Sequence, residues 1–169
     1  MAELWDIYDR HCRKTGKIVE RGQMLGQDEY HMVVNVWLRN EKKEFLISRR
    51  AVNKSDPLCW ECTGGSALAG EESLEAALRE VHEELGIILD PKAGRKIITG
   101  FRHYDHCSDF VDVWLFGCDV PINAVTIQPE ETCDAKWASV EEIRMMIERG
   151  LWIPMNQFDY IDVILQTED

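Results

Sequence analysis

Runs of apolar residues, separated by short clusters of polar and turn-forming residues, predict that much of this chain is β-sheet. Strands are predicted over residues 3–8, 17–21, 30–38, 44–49, 95–103, 110–118 and 133–138. The first two form a hairpin with Lys14-Thr15-Gly16 in its turn, and a polar turn at 40–43 joins the next two. A loop follows at 51–58, and Gly64 with Gly65 is expected to interrupt the chain again.

A helical spacing of apolar residues marks three further segments. The first is a helix over residues 73–85, closed by Gly86, and its apolar stripe consists of Leu74, Ala77, Leu78, Val81 and Leu85. The second opens at a capping box, residues 139–142, and ends at Gly150. The third spans residues 154–167, with Phe158, Ile161 and Leu165 on one face.

Composition and length indicate one soluble domain over residues 1–169. The chain contains 45% hydrophobic and 30% charged residues, which is typical of globular proteins. No run approaches the ~18 apolar residues of a membrane span, and the acidic N-terminal sequence lacks the pattern of a signal peptide. The six cysteines are expected to be free thiols in a reducing compartment. We therefore expect a cytoplasmic protein.

The charge balance narrows the classes of partner. With 31 acidic and 19 basic residues, the formal net charge is −12. Nucleic acids and anionic membrane surfaces both require a basic face, so neither is expected as a partner. An anionic small molecule would need a metal ion or a few placed basic side chains. Arg49, Arg50 and Lys54 are candidates for such contacts, although exposed basic residues are common on any surface.

Three glutamates crowd one side of the first predicted helix. At ~100° per residue, Glu80, Glu83 and Glu84 share an arc of roughly 100° beside the apolar stripe. Carboxylates placed so close together repel one another and raise each other's pKa. A hard divalent cation such as Mg²⁺ removes that repulsion and is commonly shared with substrate phosphates. These residues alone do not distinguish a metal site from an acidic helix face that is exposed to solvent.

The residues around these glutamates form a longer pattern. Gly65, Glu71 and the segment 79–87 complete G-x5-E-x7-R-E-U-x-E-E-x-G-U, where U is a bulky aliphatic residue, without a mismatch. This pattern resembles the signature of the Nudix hydrolase family. The resemblance implies an α/β fold in which a mixed β-sheet is sandwiched between helices, here with an N-terminal β-hairpin. It also implies that the motif forms a loop–helix–loop that holds Mg²⁺ or Mn²⁺.

The resemblance also implies roles for individual residues and an activity. Glu80 and Glu84 match the positions that ligate the metal, Glu83 matches one that ligates or acts as base, and the Gly64 carbonyl matches a further ligand. Arg79 and Glu71 match a pair that braces the loop–helix–loop. The implied reaction is the hydrolysis of a diphosphate linkage in a nucleoside diphosphate derivative or a related small molecule. The metal would let this acidic protein bind an anionic substrate.

A general base outside the motif is a further expectation. Some relatives of the family supply it from a loop that precedes a strand carrying a tryptophan. Here residues 128–132 form such a loop and Trp137 follows. Its spacing to Trp137 makes Glu131 the preferred candidate for the base over Glu130. The alternative interpretation is that the loop is a polar surface turn without a catalytic role.

Two other functions compete with hydrolysis. Residues 4–9, Tyr30-His31, Arg49-Arg50 and Trp60 resemble the isopentenyl-diphosphate isomerase branch of the superfamily. However, that branch has a cysteine followed by Gly-His-Pro, which is missing here, and Cys62 lies too close to Trp60. A catalytically silent sensor domain would typically lack a motif glutamate, and all are present. Many members of the family are homodimers, and nothing in the sequence decides between monomer and dimer.

Overall fold

The computed structural model describes residues 2–105, 107–155 and 157–168, and these contain nine strands and three α-helices. The strands are β1 (Leu4–Tyr8), β2 (Lys14–Glu20), β3 (Tyr30–Arg39), β4 (Phe45–Arg50), β5 (Trp60–Glu61), β6 (Thr63–Ser66), β7 (Gly94–Arg102), β8 (Ser108–Gly117) and β9 (Thr132–Ala138). The helices are α1 (Ser73–Leu85), α2 (Val140–Glu148) and α3 (Ile161–Leu165). No helix within the described ranges is long and apolar enough to cross a membrane.

All the strands join one mixed sheet that is organised around β3. One edge of β3 pairs in parallel with β8 along its whole length. The other edge pairs antiparallel with β1, β6 and β4 in turn. Outside these, β2 extends β1, β7 extends β8, and both β5 and β9 pair with β4. This arrangement brings β6, which immediately precedes α1, into the middle of the sheet.

The two faces of the sheet are covered by different helices. Side chains of successive residues of β3 point to opposite faces. Those that pack under α1 are Met32, Val34, Val36 and Leu38, which meet Ala76, Ala77, Val81 and Leu85. On the opposite face Trp37 packs with residues of α2 and α3. The structure therefore confirms the predicted sandwich of a mixed sheet between helices.

The N-terminal hairpin is confirmed, but the predicted position of its turn is wrong. Lys14, Thr15 and Gly16 belong to β2, and the chain reverses between Tyr8 and Lys14 instead. The Asp9 carboxylate accepts hydrogen bonds from the backbone N–H groups of His11 and Arg13, at 2.8 and 3.1 Å. An aspartate that satisfies the backbone in this way stabilises a turn without glycine.

The expectation that Gly64 and Gly65 interrupt the chain is also wrong. Both lie inside β6, where they pair with Asn35 and Val34 of β3. A Cβ atom on Gly64 would lie 2.2 Å from the carbonyl oxygen of Val34, and one on Gly65 would lie 2.3 Å from Oε1 of Glu80. Close packing against the backbone thus requires glycine at position 64, whereas a side chain at position 65 would displace the Glu80 carboxylate.

The last predicted helix is shorter than the pattern suggested. Among the described residues of the predicted helix 154–167, only Ile161–Leu165 is helical, and residue 156 lies outside the described residues. The residues before α3 are tied to the sheet in other ways. The Ile153 N–H donates to the Trp60 carbonyl at 2.9 Å. The Tyr160 hydroxyl contacts Asn35 Nδ2 at 2.7 Å and Trp37 Nε1 at 3.2 Å. These tertiary hydrogen bonds outweigh the local helical spacing.

Candidate active site

Helix α1 begins and ends as the sequence predicts. Glu72 and Glu75 form a reciprocal capping box at its start, which satisfies two otherwise free backbone N–H groups. Gly86 ends the helix with a left-handed φ of 68° and donates its N–H to the His82 carbonyl. Because the apolar stripe of α1 faces the sheet, the glutamates beside the stripe lie at the boundary between helix and sheet.

These glutamates open onto a cleft of about 250 Å³. It lies between α1, strand β6 and the loops at residues 51–58 and 125–131. Its lining includes Lys54, Gly64, Gly65, Arg79, Glu80, Glu83, Glu84, Gln128 and Glu131. The structure therefore brings Gly64, Arg79 and all three motif glutamates to one place, together with Lys54 and Glu131 from two separate loops. The ion pair of Arg21 with Glu3, at the ends of the N-terminal hairpin, also lines the cleft.

Arg79 cross-links the motif. Its Nε and Nη2 donate to the two carboxylate oxygens of Glu71 at 2.7 and 3.0 Å, and Nη2 also donates to the Ser66 carbonyl at 3.0 Å. Its Nη1 donates to Glu80 and Glu83, both at 2.9 Å. One guanidinium thus ties the loop before α1 to two glutamates of the helix, and such a bidentate pair is more rigid than an ordinary surface ion pair.

Glu84 has the most perturbed carboxyl group of the cleft. Burial, together with the neighbouring carboxylates of Glu80 and Glu61, raises its pKa to about 8, although Lys54 and the backbone N–H of Gly64 oppose the shift. Burial also raises the pKa of Glu80, which Arg79 opposes. Negative charge is therefore costly at the centre of the cleft, and a bound cation would remove that cost.

The donors of this cleft fit a hard divalent cation. Carboxylate and carbonyl oxygens are the ligands that Mg²⁺ and Mn²⁺ prefer. Within the described residues, no three carboxylate, imidazole or thiol groups are already gathered as a ready cage. Arg79 holds Glu80 and Glu83, and Lys54 holds Glu131. To bind a metal, some of these carboxylates must therefore give up their ion pair with Arg79 or Lys54.

The raised pKa of Glu84 predicts an unusual pH dependence of stability. Between about pH 4.5 and 8 the folded protein keeps a proton on Glu84 that the unfolded chain releases, so the free energy of unfolding falls as pH rises. At about 1.4 kcal/mol per pKa unit, the loss is on the order of 5 kcal/mol. Without added metal, the melting temperature should fall across this interval, and Glu84→Gln should flatten the profile. A wild-type melting temperature that rises between pH 5 and 8 would contradict the prediction.

Of the three upstream basic residues, only Lys54 lines the cleft. Arg50 donates to both carboxylate oxygens of Glu61 at 2.9 and 2.8 Å. Arg49 donates to the Leu58 carbonyl at 2.9 Å and lies over the Trp60 ring. Contact of Arg49 or Arg50 with a substrate phosphate stays a prediction, and it would require these side chains to leave their present partners.

Sequence reasoning missed Glu61. Its side chain is only 20% exposed, and its carboxylate adds to the negative potential at Glu84. Burial raises the pKa of Glu61, whereas the adjacent Arg50 lowers it. A glutamate directly after Trp60, in an otherwise apolar stretch, was the available signal, because buried carboxylates require a partner.

The loop proposed to carry a general base reaches the cleft. Glu131 lines it and forms an ion pair with Lys54. The carbonyl of Glu130 accepts a hydrogen bond from Asn53 Nδ2 at 3.2 Å. At the start of this loop the Gln128 N–H donates to the Glu84 carbonyl at 3.1 Å. The loop at residues 125–131 is therefore anchored at the carboxyl end of α1, and the 51–58 loop is hydrogen-bonded to it in turn.

The cysteine and the histidine that were compared with the isomerase pattern do not line this cleft. Cys62 packs on the face of the sheet that α2 and α3 cover, and its Sγ is 3.6 Å from the Tyr160 hydroxyl. Burial raises the pKa of this thiol to about 12, so it is not a reactive thiolate. His31 stacks on Trp5 at 4.1 Å between ring centroids, and burial lowers its pKa to about 4.

Known proteins resemble this chain over most of its length. A family model described as the NUDIX domain matches residues 29–157. An uncharacterized Nudix hydrolase of Listeria monocytogenes is 38% identical over 154 residues, covering 90% of this chain and 89% of that protein. The isopentenyl-diphosphate Delta-isomerase of Escherichia coli is 27% identical over 82% of this chain and 78% of its own length.

A solved structure supports the same fold. The crystal structure of DR0079 from Deinococcus radiodurans superposes with a TM-score of 0.74 and 23% identity, covering 96% of this chain and 97% of that one. At this level of identity the likeness concerns the fold and carries no information about substrate.

Proposed function

This chain belongs to the Nudix hydrolase family, and on that premise we propose that it uses Mg²⁺ or Mn²⁺ to hydrolyse a diphosphate linkage. The substrate class is a nucleoside diphosphate derivative or a related small diphosphate. The observation that carries the proposal is the placement of Glu80, Glu83 and the buried Glu84 on one cleft beside Gly64 and Gly65. The substrate partner is thus a small molecule, and the proposed location is the cytoplasm.

The proposed metal ligands are the carboxylates of Glu80 and Glu84, with Glu83 and the Gly64 carbonyl as further donors. A divalent cation held there would neutralise the diphosphate and acidify a water molecule. Arg79 keeps Glu80 and Glu83 aligned through its hydrogen bonds. This rigid support matters because small displacements of catalytic groups cost large factors in rate.

Two charged side chains opposite α1 complete the proposed mechanism. Lys54 would contact the phosphate oxygens, since its ammonium group lies in the cleft. Glu131 would take a proton from the attacking water, for which a carboxylate within hydrogen-bonding reach is suited. Glu83 is the alternative base, because its carboxylate lies in the same cleft.

A substrate panel tests this function directly. Nucleoside di- and triphosphates, sugar nucleotides, dinucleotides, coenzyme A and isoprenoid diphosphates are incubated with Mg²⁺ or Mn²⁺, and phosphate is measured before and after added phosphatase. Activity should require the metal and should rise from neutral to mildly alkaline pH, because the carboxylates must be deprotonated to bind it. Full turnover in excess EDTA would contradict the metal-dependent mechanism.

The likeness to the Escherichia coli isomerase makes double-bond migration the alternative activity. The isoprenoid diphosphates of the panel distinguish the two, because isomerisation leaves the diphosphate intact and hydrolysis releases phosphate. Binding of a nucleotide without turnover would instead indicate a sensor domain. Light scattering of the same preparation would show whether the chain is a monomer or a homodimer.

A further inference from the structure

Lys54 and Glu131 join the two loops that face α1 across the cleft. Their side chains form an ion pair, with 27% of the lysine and 34% of the glutamate side chain exposed. They are 77 residues apart in the chain, so this contact exists only because the fold brings the loops together.

Backbone contacts hold the two loops in this position. The Ala51 N–H donates to the Glu131 carbonyl at 3.0 Å, and Asn53 Nδ2 donates to the Glu130 carbonyl at 3.2 Å. The Lys54 N–H donates to the Ala51 carbonyl at 3.3 Å. With the backbones anchored on both sides, the ion pair can open by rotation of the Lys54 side chain while the loops stay in place.

The charges around Lys54 favour its transfer from Glu131 to a bound diphosphate. Its ammonium group lies in a cleft that also contains Glu80, Glu83 and Glu84. Glu61, the other carboxylate near Glu84, is already paired with Arg50. A lysine is a point charge on a flexible stem, and a diphosphate in this cleft would offer it more negative charge than the single carboxylate of Glu131.

We propose that Lys54 holds the Glu131 carboxylate in the substrate-free protein and transfers to the diphosphate when substrate binds. The transfer releases Glu131 at the moment when an attacking water must be deprotonated. This inference rests on the proposed function, and it adds a coupling between substrate binding and the availability of the base. No covalent bond changes in this step, since one ion pair replaces another.

A double-mutant cycle measured by thermal unfolding tests the exchange. Lys54→Met, Glu131→Gln and the double variant are compared with wild type, first without ligand and then with saturating Mg²⁺ and methylenediphosphonate, whose P–C–P link resists hydrolysis. Without ligand the two residues should be coupled by about 1–3 °C in melting temperature, as expected for a partly exposed pair. With the analogue bound, that coupling should disappear.

A matched pair outside the cleft serves as control. Lys17 Nζ lies 2.7 Å from Glu29 Oε1, on the N-terminal hairpin and the loop that follows it. The cycle of Lys17→Met and Glu29→Gln should give the same coupling with and without the analogue. The control separates a change at Lys54 from a general effect of Mg²⁺ on surface ion pairs.

Steady-state kinetics on the substrate found in the panel provides a second measurement. Lys54→Met should raise KM at least about tenfold, because the contact with the diphosphate is lost, and the loss should appear in KM and not in kcat. Lys54→Arg, which keeps the charge, should restore a substantial part of the affinity. An unchanged KM in Lys54→Met would overturn the proposal.

The thermal data separate failure of this inference from failure of the proposed function. If the analogue with Mg²⁺ stabilises the wild type but the coupling between Lys54 and Glu131 persists, Lys54 does not transfer and the inference is wrong. The same holds if no coupling is found without ligand. If the analogue does not stabilise the wild type at all, the cleft does not bind a diphosphate, and both the function and the inference fail.

Discussion

Glu84→Gln is expected to lower kcat by at least about 10²-fold, the scale of losing a group that holds the metal or moves a proton. Glu84 is only 9% exposed, and burial has already raised its pKa to about 8. Glutamine keeps the shape of the side chain but removes the charge that a divalent cation requires. The measurement is kcat for the substrate found in the panel, at saturating Mg²⁺ or Mn²⁺.

The same substitution should leave the fold intact. Because a buried carboxylate without a metal is destabilising at neutral pH, the metal-free variant should melt at the same temperature as wild type or higher. Glu148→Gln on α2, across the sheet from α1, makes the same charge change as a control and should retain full activity. Unfolding of the Glu84 variant would show that Glu84 is structural, and full activity would show that it does not hold the metal.

Glu131→Gln is expected to lower kcat by about 10²-fold or more with saturating metal, whereas Glu130→Gln should change it less than threefold. Glu131 lines the cleft, and its carboxylate is already paired with a cleft cation, Lys54. A general base acts in the chemical step, so its loss should appear in kcat while KM changes little. The two neighbouring variants carry the same charge change, and each is the control for the other.

The outcome also decides where the base lies. If neither variant changes kcat by more than about threefold, equivalent to about 0.7 kcal/mol, the loop after β8 does not supply the base. The role then falls to Glu83, which lies in the same cleft and is hydrogen-bonded to Arg79 at 2.9 Å. Glu83→Gln would become the informative variant.

Local signals in the sequence determined the helix that carries the motif. The apolar spacing and the terminal Gly86 act within a few residues of one another, and α1 has the predicted bounds. A helix of known bounds fixes the angular positions of its side chains. The placement of Glu80, Glu83 and Glu84 beside the buried stripe therefore followed from the sequence alone.

Only the tertiary structure decided which groups meet these glutamates. The partnership of Arg50 with Glu61, and that of Lys54 with Glu131, depends on how strands β4, β5 and β9 are brought together. No local pattern distinguishes Arg50, which pairs with a buried glutamate, from Lys54, which reaches the cleft. Residues far apart in the chain become neighbours through packing, and a residue's immediate sequence contains little information about such neighbours.

The same reason explains the errors in secondary structure. Gly64 and Gly65 have the local appearance of a chain break, yet both pair with β3 inside the sheet. A Cβ atom on Gly64 would meet the Val34 carbonyl oxygen, and one on Gly65 would meet the Glu80 carboxylate. The described residues between 154 and 160 have helical spacing but are not helical. Hydrogen bonds tie both ends of this segment to the sheet, because the Ile153 N–H donates to the Trp60 carbonyl and the Tyr160 hydroxyl accepts from Asn35. The sequence by itself thus determined the motif helix and its carboxylates, whereas contacts between distant segments decided the close packing of β6 and the partners that complete the cleft.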